Sequence, residues 1–338
     1  MRIGKMKKRH SFGRTLLRFL GALLAALLLA VAAFLIIPLT ERVDKTPVPG
    51  SADWMAELDD GVKLSELVLP GTHDSATQYV QLGFFSKCQA LSVGEQLHSG
   101  ARYLDIRIGD AEKGEDFPKL MHGFTKCKQS ALGGTLYLDE LLRECYAFLT
   151  QHPTETVVFA VKHEHGNAGT AEFETVLDGF TAAHPSFWYL SDTLPTLGEA
   201  RGKLVLLRRY EDEAGLGERS GVPFLWEDQK GHEDTTQNTE QVEQGSYSLW
   251  VQDHFEYGLE DKWTAFEKGM DEAAAQKAEG DIVLSFLSTK GTASYGHPWR
   301  YAKDLNARLL KTGDLTGWVV LDFLDARLAH HLYSMNFK

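Results

Sequence analysis

Leu67-Val68-Leu69-Pro70-Gly71-Thr72-His73-Asp74-Ser75 runs a short apolar stretch straight into a turn that presents a histidine beside a carboxylate. The arrangement recurs downstream. Arg102-Tyr-Leu-Asp-Ile-Arg107 and Lys119-Leu-Met-His122-Gly123 also pass from an apolar run directly to ionisable residues. A buried strand is a rigid post, and polar groups at its end are held where several posts converge. Such a chain aims His, Asp and Arg side chains at one point.

Short apolar, β-branched runs recur eight times, at residues 67–69, 103–108, 120–121, 156–161, 203–207, 247–251, 282–287 and 317–321. Helix-length segments separate most of them. Leu138, Leu141, Leu142, Cys145, Phe148 and Leu149 follow helical spacing, so one such helix packs on a sheet and Cys145 is core. Alternating strand and helix predicts a parallel sheet, and eight units predict its closure into a (β/α)8 TIM-type barrel. Residues 211–245 are acidic and Gly-rich and read as a long mobile insertion.

The first 45 residues stand apart. Residues 1–18 carry seven Lys or Arg and no acid, and residues 19–39 are uncharged and mostly apolar, about the 20 residues a transmembrane helix needs. The positive flank predicts a cytoplasmic N-terminus with everything after the apolar run outside. Ala30-Val31-Ala32 has the small-x-small form of a signal cleavage site, but the apolar run continues past it, which favours an uncut signal-anchor. The expected organisation is a basic N-terminus plus signal or anchor helix over 1–45, a linker over 46–51, and a barrel over 52–338. Beyond the basic tail, 28 Lys or Arg face 47 Asp or Glu, a net charge of −19. That argues against nucleic acid and against a polybasic grip on anionic lipid. Three cysteines make no framework, though one bond could form outside the cell, with Cys88–Cys127 the expected pair.

At a barrel's catalytic end the strands deliver, in order, His73 and Asp74, Asp105 and Arg107, His122, Lys162 and Glu164, Arg208 and Arg209, Asp253, then Asp322. Two histidines among carboxylates and cations suit general acid–base attack at a phosphate, one ring taking a proton while the other gives one.

The ordered set resembles bacterial phosphatidylinositol-specific phospholipase C. The motifs are Leu69-Pro-Gly-Thr-His-Asp-Ser75, Gly100-Ala-Arg-Tyr-Leu-Asp-Ile-Arg107, Met121-His122-Gly123, Arg201-Gly-Lys-Leu-Val-Leu-Leu-Arg-Arg-Tyr210, Val251-Gln-Asp253, Ser288-Thr-Lys-Gly-Thr292 and Gly317-Trp-Val-Val-Leu-Asp322. The resemblance implies a distorted, incompletely closed barrel and a phosphotransfer with a cyclic product. It makes His73 the general base supported by Asp322, and His122 the general acid assisted by Asp74. Arg107 would hold a phosphate oxygen, with Asp105 fixing its fork and Lys162 adding charge. Arg209 and Asp253 would bind inositol hydroxyls. Arg107 stands where calcium-dependent relatives carry a second carboxylate, so the chain reads as metal-independent and free of cofactors.

Two departures bear on lipid preference. Phe255 replaces the family's tyrosine under the inositol ring, and the membrane-dipping tryptophans are absent from their usual positions. Phe84, Phe85, Tyr295 and Trp299 are the expected substitutes at the surface of a phosphatidylinositol-containing membrane, with no obligate protein partner evident. The competing readings are a metal-dependent glycerophosphodiester or sphingolipid phosphodiesterase, against which Arg107 counts, and a silent lipid- or glycan-binding module. The silent module should have lost a His or Asp, yet all five catalytic-type positions are filled.

Overall fold

The computed structural model describes residues 7–115, 117–229, 238–292 and 296–338, in two compact units, Met1–Arg42 and Val43–Lys338. The first unit holds the helix Lys7–Leu39, whose segment Gly13–Ala32 is long and apolar enough to cross a bilayer.

The second unit contains twelve strands among the described residues: β1 (Leu69–Thr72), β2 (Tyr103–Gly109), β3 (Lys119–His122), β4 (Thr125–Lys126), β5 (Val157–His165), β6 (Trp188–Tyr189), β7 (Leu204–Arg208), β8 (Val222–Pro223), β9 (Glu240–Glu243), β10 (Ser248–Gln252), β11 (Ile282–Phe286) and β12 (Trp318–Leu321). Their order is β6-β7-β5-β2-β1-β12-β11-β10-β9, with β8 added beside β7. All neighbours from β6 through β10 in this order run parallel, and β9 joins its end antiparallel. Sequence-early β1 lies against sequence-late β12, as barrel closure demands.

No ladder joins β8 to β9 or β10 among the described residues, so the barrel is open on that side. Side chains bridge the gap. Gln244 accepts from Leu225 N–H at 2.8 Å and donates to Leu225 C=O at 2.7 Å, the pair of bonds a neighbouring strand would make. Tyr247 adds a hydroxyl bond to the Pro223 carbonyl.

Three expectations change. Residues 120–121 lie in β3, which pairs antiparallel with β2 and turns back as β4 instead of serving as a barrel strand. The 110–118 connection is shorter than the dozen or so residues a parallel crossover needs. The missing parallel strand is β8, inside the stretch read as a mobile insertion. Val222 and Phe224 there are fully buried, and their alternation with Trp226 outweighs the acidic composition around them. All three cysteines are buried free thiols, so the expected Cys88–Cys127 bond is not formed.

Other expectations match. The helix Leu138–Gln151 buries Leu138, Leu141, Leu142, Cys145, Phe148 and Leu149. At about 1.5–3 kcal/mol for each large apolar side chain removed from water, that stripe anchors the helix to the sheet. Inside the barrel, a Cβ on Gly71 would stand 3.0 Å from the Tyr103 ring and 3.1 Å from Val320, so any larger residue there would push on both neighbouring strands.

Candidate active site

Sheet register assembles the site. Thr72 pairs with Leu321, which puts His73 beside Asp322. Arg107 pairs with Lys162, and Val161 with Arg208, which puts Lys162 beside Arg209. The ionisable residues that follow these rungs converge on a cleft of about 700 Å³ lined by His73, Arg107, His122, Lys162, Glu164, Arg209, Asp253, Phe255 and Asp322.

His73 Nδ1 lies 2.7 Å from Asp322 Oδ1. A carboxylate only accepts, so Nδ1 carries the proton and Nε2 faces the cleft. Nε2 is 2.9 Å from Arg107 Nη2 and 3.2 Å from Asp74 Oδ2. The neutral ring accepts from the guanidinium, and the Asp74 carboxylate balances the charge of the protonated ring, so a proton is accommodated either way. Burial disfavours the charged ring, but Asp74 and Asp322 outweigh it and raise the His73 pKa to about 9.

Asp74 is shared by both histidines, its Oδ2 also lying 3.3 Å from His122 Nε2. The His122 Nδ1–H donates to the Ser86 carbonyl at 2.8 Å, which fixes that ring's orientation. Burial raises the Asp74 pKa against the pull of Arg107 and the two rings. Its backbone is held in the left-handed region, φ 43°, which is costly for a residue other than glycine. Asp105 fixes this turn: its Oδ2 accepts from Asp74 N–H at 3.1 Å, and its carbonyl from Ser75 N–H at 3.0 Å.

Arg107 sits among three carboxylates, 3.1 Å from Asp74 Oδ1, 3.1 Å from Asp105 Oδ2 and 3.2 Å from Glu164 Oε1. Burial opposes ionisation of Asp105, yet Arg107 and Arg209 hold its pKa well below the usual carboxylate range. Glu164 is likewise drawn down to about 2 against its burial by Arg107 and Lys162. Arg102, at the other end of β2, plays a different part: wholly buried, it is tied to Glu155 and to main-chain carbonyls away from the cleft.

Lys162 Nζ is 3.4 Å from Glu164 and 3.8 Å from Asp228. Arg209 lies 3.6 Å from Asp105 and stacks on Trp226 with its guanidinium carbon 3.6 Å from the ring centre. Trp226 Nε1 donates to Asp253 at 3.1 Å. The indole thus orders Arg209 and Asp253 together. It belongs to the stretch read as an insertion, and the alternation Val222, Phe224, Trp226 was the signal that could have found it. His163, part of the His163-Glu164-His165 run, is held by Asp110 at 2.8 Å.

The expected membrane residues divide. Phe85 is exposed at the cleft rim and packs edge-on against half-buried Phe84, ring centres 4.9 Å apart. Trp299 is a correction. It is 8% exposed and packs against Phe323 at 5.2 Å, because as the first residue of the helix Trp299–Leu309 it faces inward. Tyr295 lies outside the described residues. Leu82 (56% exposed) and Phe124 (73%) join Phe85 around the mouth. Phe124 follows Gly123 in the turn between β3 and β4, so the hairpin mistaken for a barrel strand supplies an apolar tip.

Residues 70–210 match the profile "Phosphatidylinositol-specific phospholipase C, X domain". The chain is 27% identical over 303 residues to a 1-phosphatidylinositol phosphodiesterase of Staphylococcus aureus (strain Newman), covering 84% of this chain and 90% of the relative. A protein of the same description from Listeria monocytogenes is 26% identical over 271 residues, 76% of this chain and 73% of the relative. Among solved structures, the F249X mutant of phosphatidylinositol-specific phospholipase C from S. aureus superposes with a TM-score of 0.69 at 23% identity, over 84% of this chain and 98% of that one. The phosphatidylinositol-specific phospholipase C from L. monocytogenes gives 0.65 at 20% identity, over 85% and 98%. The fold is therefore the TIM-type barrel of these enzymes.

Proposed function

We propose that this chain, which belongs to the phosphatidylinositol-specific phospholipase C X-domain family, cleaves phosphatidylinositol or a glycosylated form of it to diacylglycerol and inositol 1,2-cyclic phosphate. The observation that carries the reading is the pair of histidines flanking one carboxylate: Asp74 Oδ2 lies 3.2 Å from His73 and 3.3 Å from His122.

His73 Nε2 takes the proton of the inositol 2-hydroxyl, and Asp322 supports the imidazolium through Nδ1–H. The freed oxygen pair attacks phosphorus, and the bond from phosphorus to the diacylglycerol oxygen breaks. His122, oriented through Nδ1–H by the Ser86 carbonyl and with its charge balanced by the nearby Asp74 carboxylate, delivers a proton from Nε2 to that leaving oxygen. Arg107 neutralises charge on a non-bridging oxygen, with Asp105 and Glu164 bracing its fork and Lys162 adding a second cation. Arg209, Asp253 and Phe255 bind the inositol.

The reading is metal-independent because a guanidinium already fills the space between Asp74, Asp105 and Glu164, where a hard cation would otherwise find its oxygens. The apolar rim of Leu82, Phe85 and Phe124 is the membrane contact, and the helix Lys7–Leu39 is an anchor or signal that places the barrel outside the cytoplasm. The test is product analysis on phosphatidylinositol with chelator present. Diacylglycerol and cyclic inositol phosphate are the expected products. Release of phosphatidic acid, or no turnover until a divalent cation is added, overturns the assignment.

A further inference from the structure

The cleft contains a nucleophile that the proposed chemistry leaves idle. Cys88 is a buried free thiol lining the same cleft, its Sγ 3.9 Å from His122 Nδ1. Asp74, Cys88 and His122 each bring one donor atom within 4.8 Å of the other two. Asp74 is 2% exposed, and neither of its carboxylate oxygens accepts a well-aligned hydrogen bond. Its Oδ1 faces Arg107, and its Oδ2 lies between His73 Nε2 at 3.2 Å and His122 Nε2 at 3.3 Å.

The spacing suits zinc. Bonds of about 2.0–2.1 Å to nitrogen and oxygen at tetrahedral angles put the two donor atoms roughly 3.3 Å apart. His122 Nε2 and Asp74 Oδ2 are 3.3 Å apart. A metal-ligating histidine commonly hands its other N–H to a backbone carbonyl, and His122 Nδ1 is already bonded to the Ser86 carbonyl. A thiolate selects soft cations over calcium or magnesium, whose oxygen sites Arg107 has filled.

We propose that Cys88, His122 and Asp74 form an inhibitory site for a soft divalent cation, zinc above all, which closes as the Cys88 side chain rotates toward the ion. The thiol proton is displaced on binding, and the ion takes the His122 lone pair that must carry the proton for the leaving group. The metal therefore silences the general acid while leaving His73 and Asp322 in place. Arg107, 3.1 Å from Asp74, weakens the site electrostatically and keeps binding reversible by chelators.

The inhibitory half of the proposal rests on the acid role given to His122, whereas the binding half does not. The full chain in detergent is titrated with cadmium, and the thiolate-to-metal absorption in the near ultraviolet is followed beside zinc inhibition of phosphatidylinositol cleavage. The wild type should take up a single cadmium ion with that absorption, and zinc should inhibit until EDTA is added. Cys88→Ser should lose the absorption and require at least about tenfold more zinc, with chelated activity nearly unchanged. His122→Ala should weaken cadmium uptake, and Cys127→Ser should not, which keeps the assignment testable if Cys88→Ser folds poorly. Equal zinc sensitivity in Cys88→Ser, or a cadmium band that survives there, overturns the site. A cadmium band in a protein that never cleaves phosphatidylinositol sinks the lipase reading alone.

Discussion

His73 and Asp322 meet at 2.7 Å through Nδ1 and Oδ1, a hydrogen bond made possible by one rung of parallel pairing between β1 and β12. The contact fixes the tautomer and raises the basicity of the ring. Asp322→Asn keeps an acceptor but removes the charge, so the His73 pKa should fall from about 9 toward its ordinary value near 6.5. The folded pKa is the raised one, so the protonated ring stabilises the fold fully below about pH 6.5 and loses that contribution as pH rises through about 9. The substitution should therefore cost the barrel more stability below pH 6.5 than above 9. NMR titration of the ring and denaturant melts at the two ends check it; an unmoved ring pKa refutes the coupling.

The two histidines should be separable by leaving group. Either alanine variant should lower turnover of phosphatidylinositol by about 10²–10⁴. A nitrophenol leaves without needing a proton. On such a substrate His122→Ala should recover most of its rate and His73→Ala should not. Equal recovery of both would show that the roles are reversed or shared.

Excess EDTA should leave phosphatidylinositol cleavage intact, or raise it if traces of zinc are present. Arg107→Leu should abolish most activity and also destabilise the barrel by about 3–5 kcal/mol, since Asp74, Asp105 and Glu164 would face one another without their common cation. Steady-state rates and urea unfolding read the two effects apart. A variant that loses activity at full stability would show that the guanidinium acts on substrate alone.

At the mouth, Phe124→Ser and Leu82→Ser should weaken binding to phosphatidylinositol vesicles with little dependence on salt, while hydrolysis of a soluble inositol cyclic phosphate changes far less. Trp299→Ala should behave as a core truncation instead, costing about 3–5 kcal/mol of stability. Steeply salt-dependent binding that ignores Phe124 and Leu82 would make the contact electrostatic.

Most of the site was legible because each residue lies in the C-terminal half of a strand or just past its end, where an apolar run gives way to charge. His73, Arg107, Lys162, Arg209, Asp253 and Asp322 all fall at the cleft for that reason. What the sequence hid was non-local. β3 reads as a strand but not as antiparallel, since direction depends on the connection before it. Trp299 reads as an exposed aromatic until the inward face of its helix is known. Trp226 and β8 were masked by acidic neighbours, although one face of that segment is apolar at every second residue. The open seam could not be anticipated at all, because Gln244 closes it with a side chain that looks like any polar surface residue.

The neighbouring of β1 and β12 also sets a clock. His73 and Asp322 share a hydrogen bond across 249 positions of chain. A ribosome makes the histidine early and its carboxylate only after β12, so the growing polypeptide carries the ring long before it has a competent base. It becomes a cutting tool only when synthesis has delivered the strand that completes the pair.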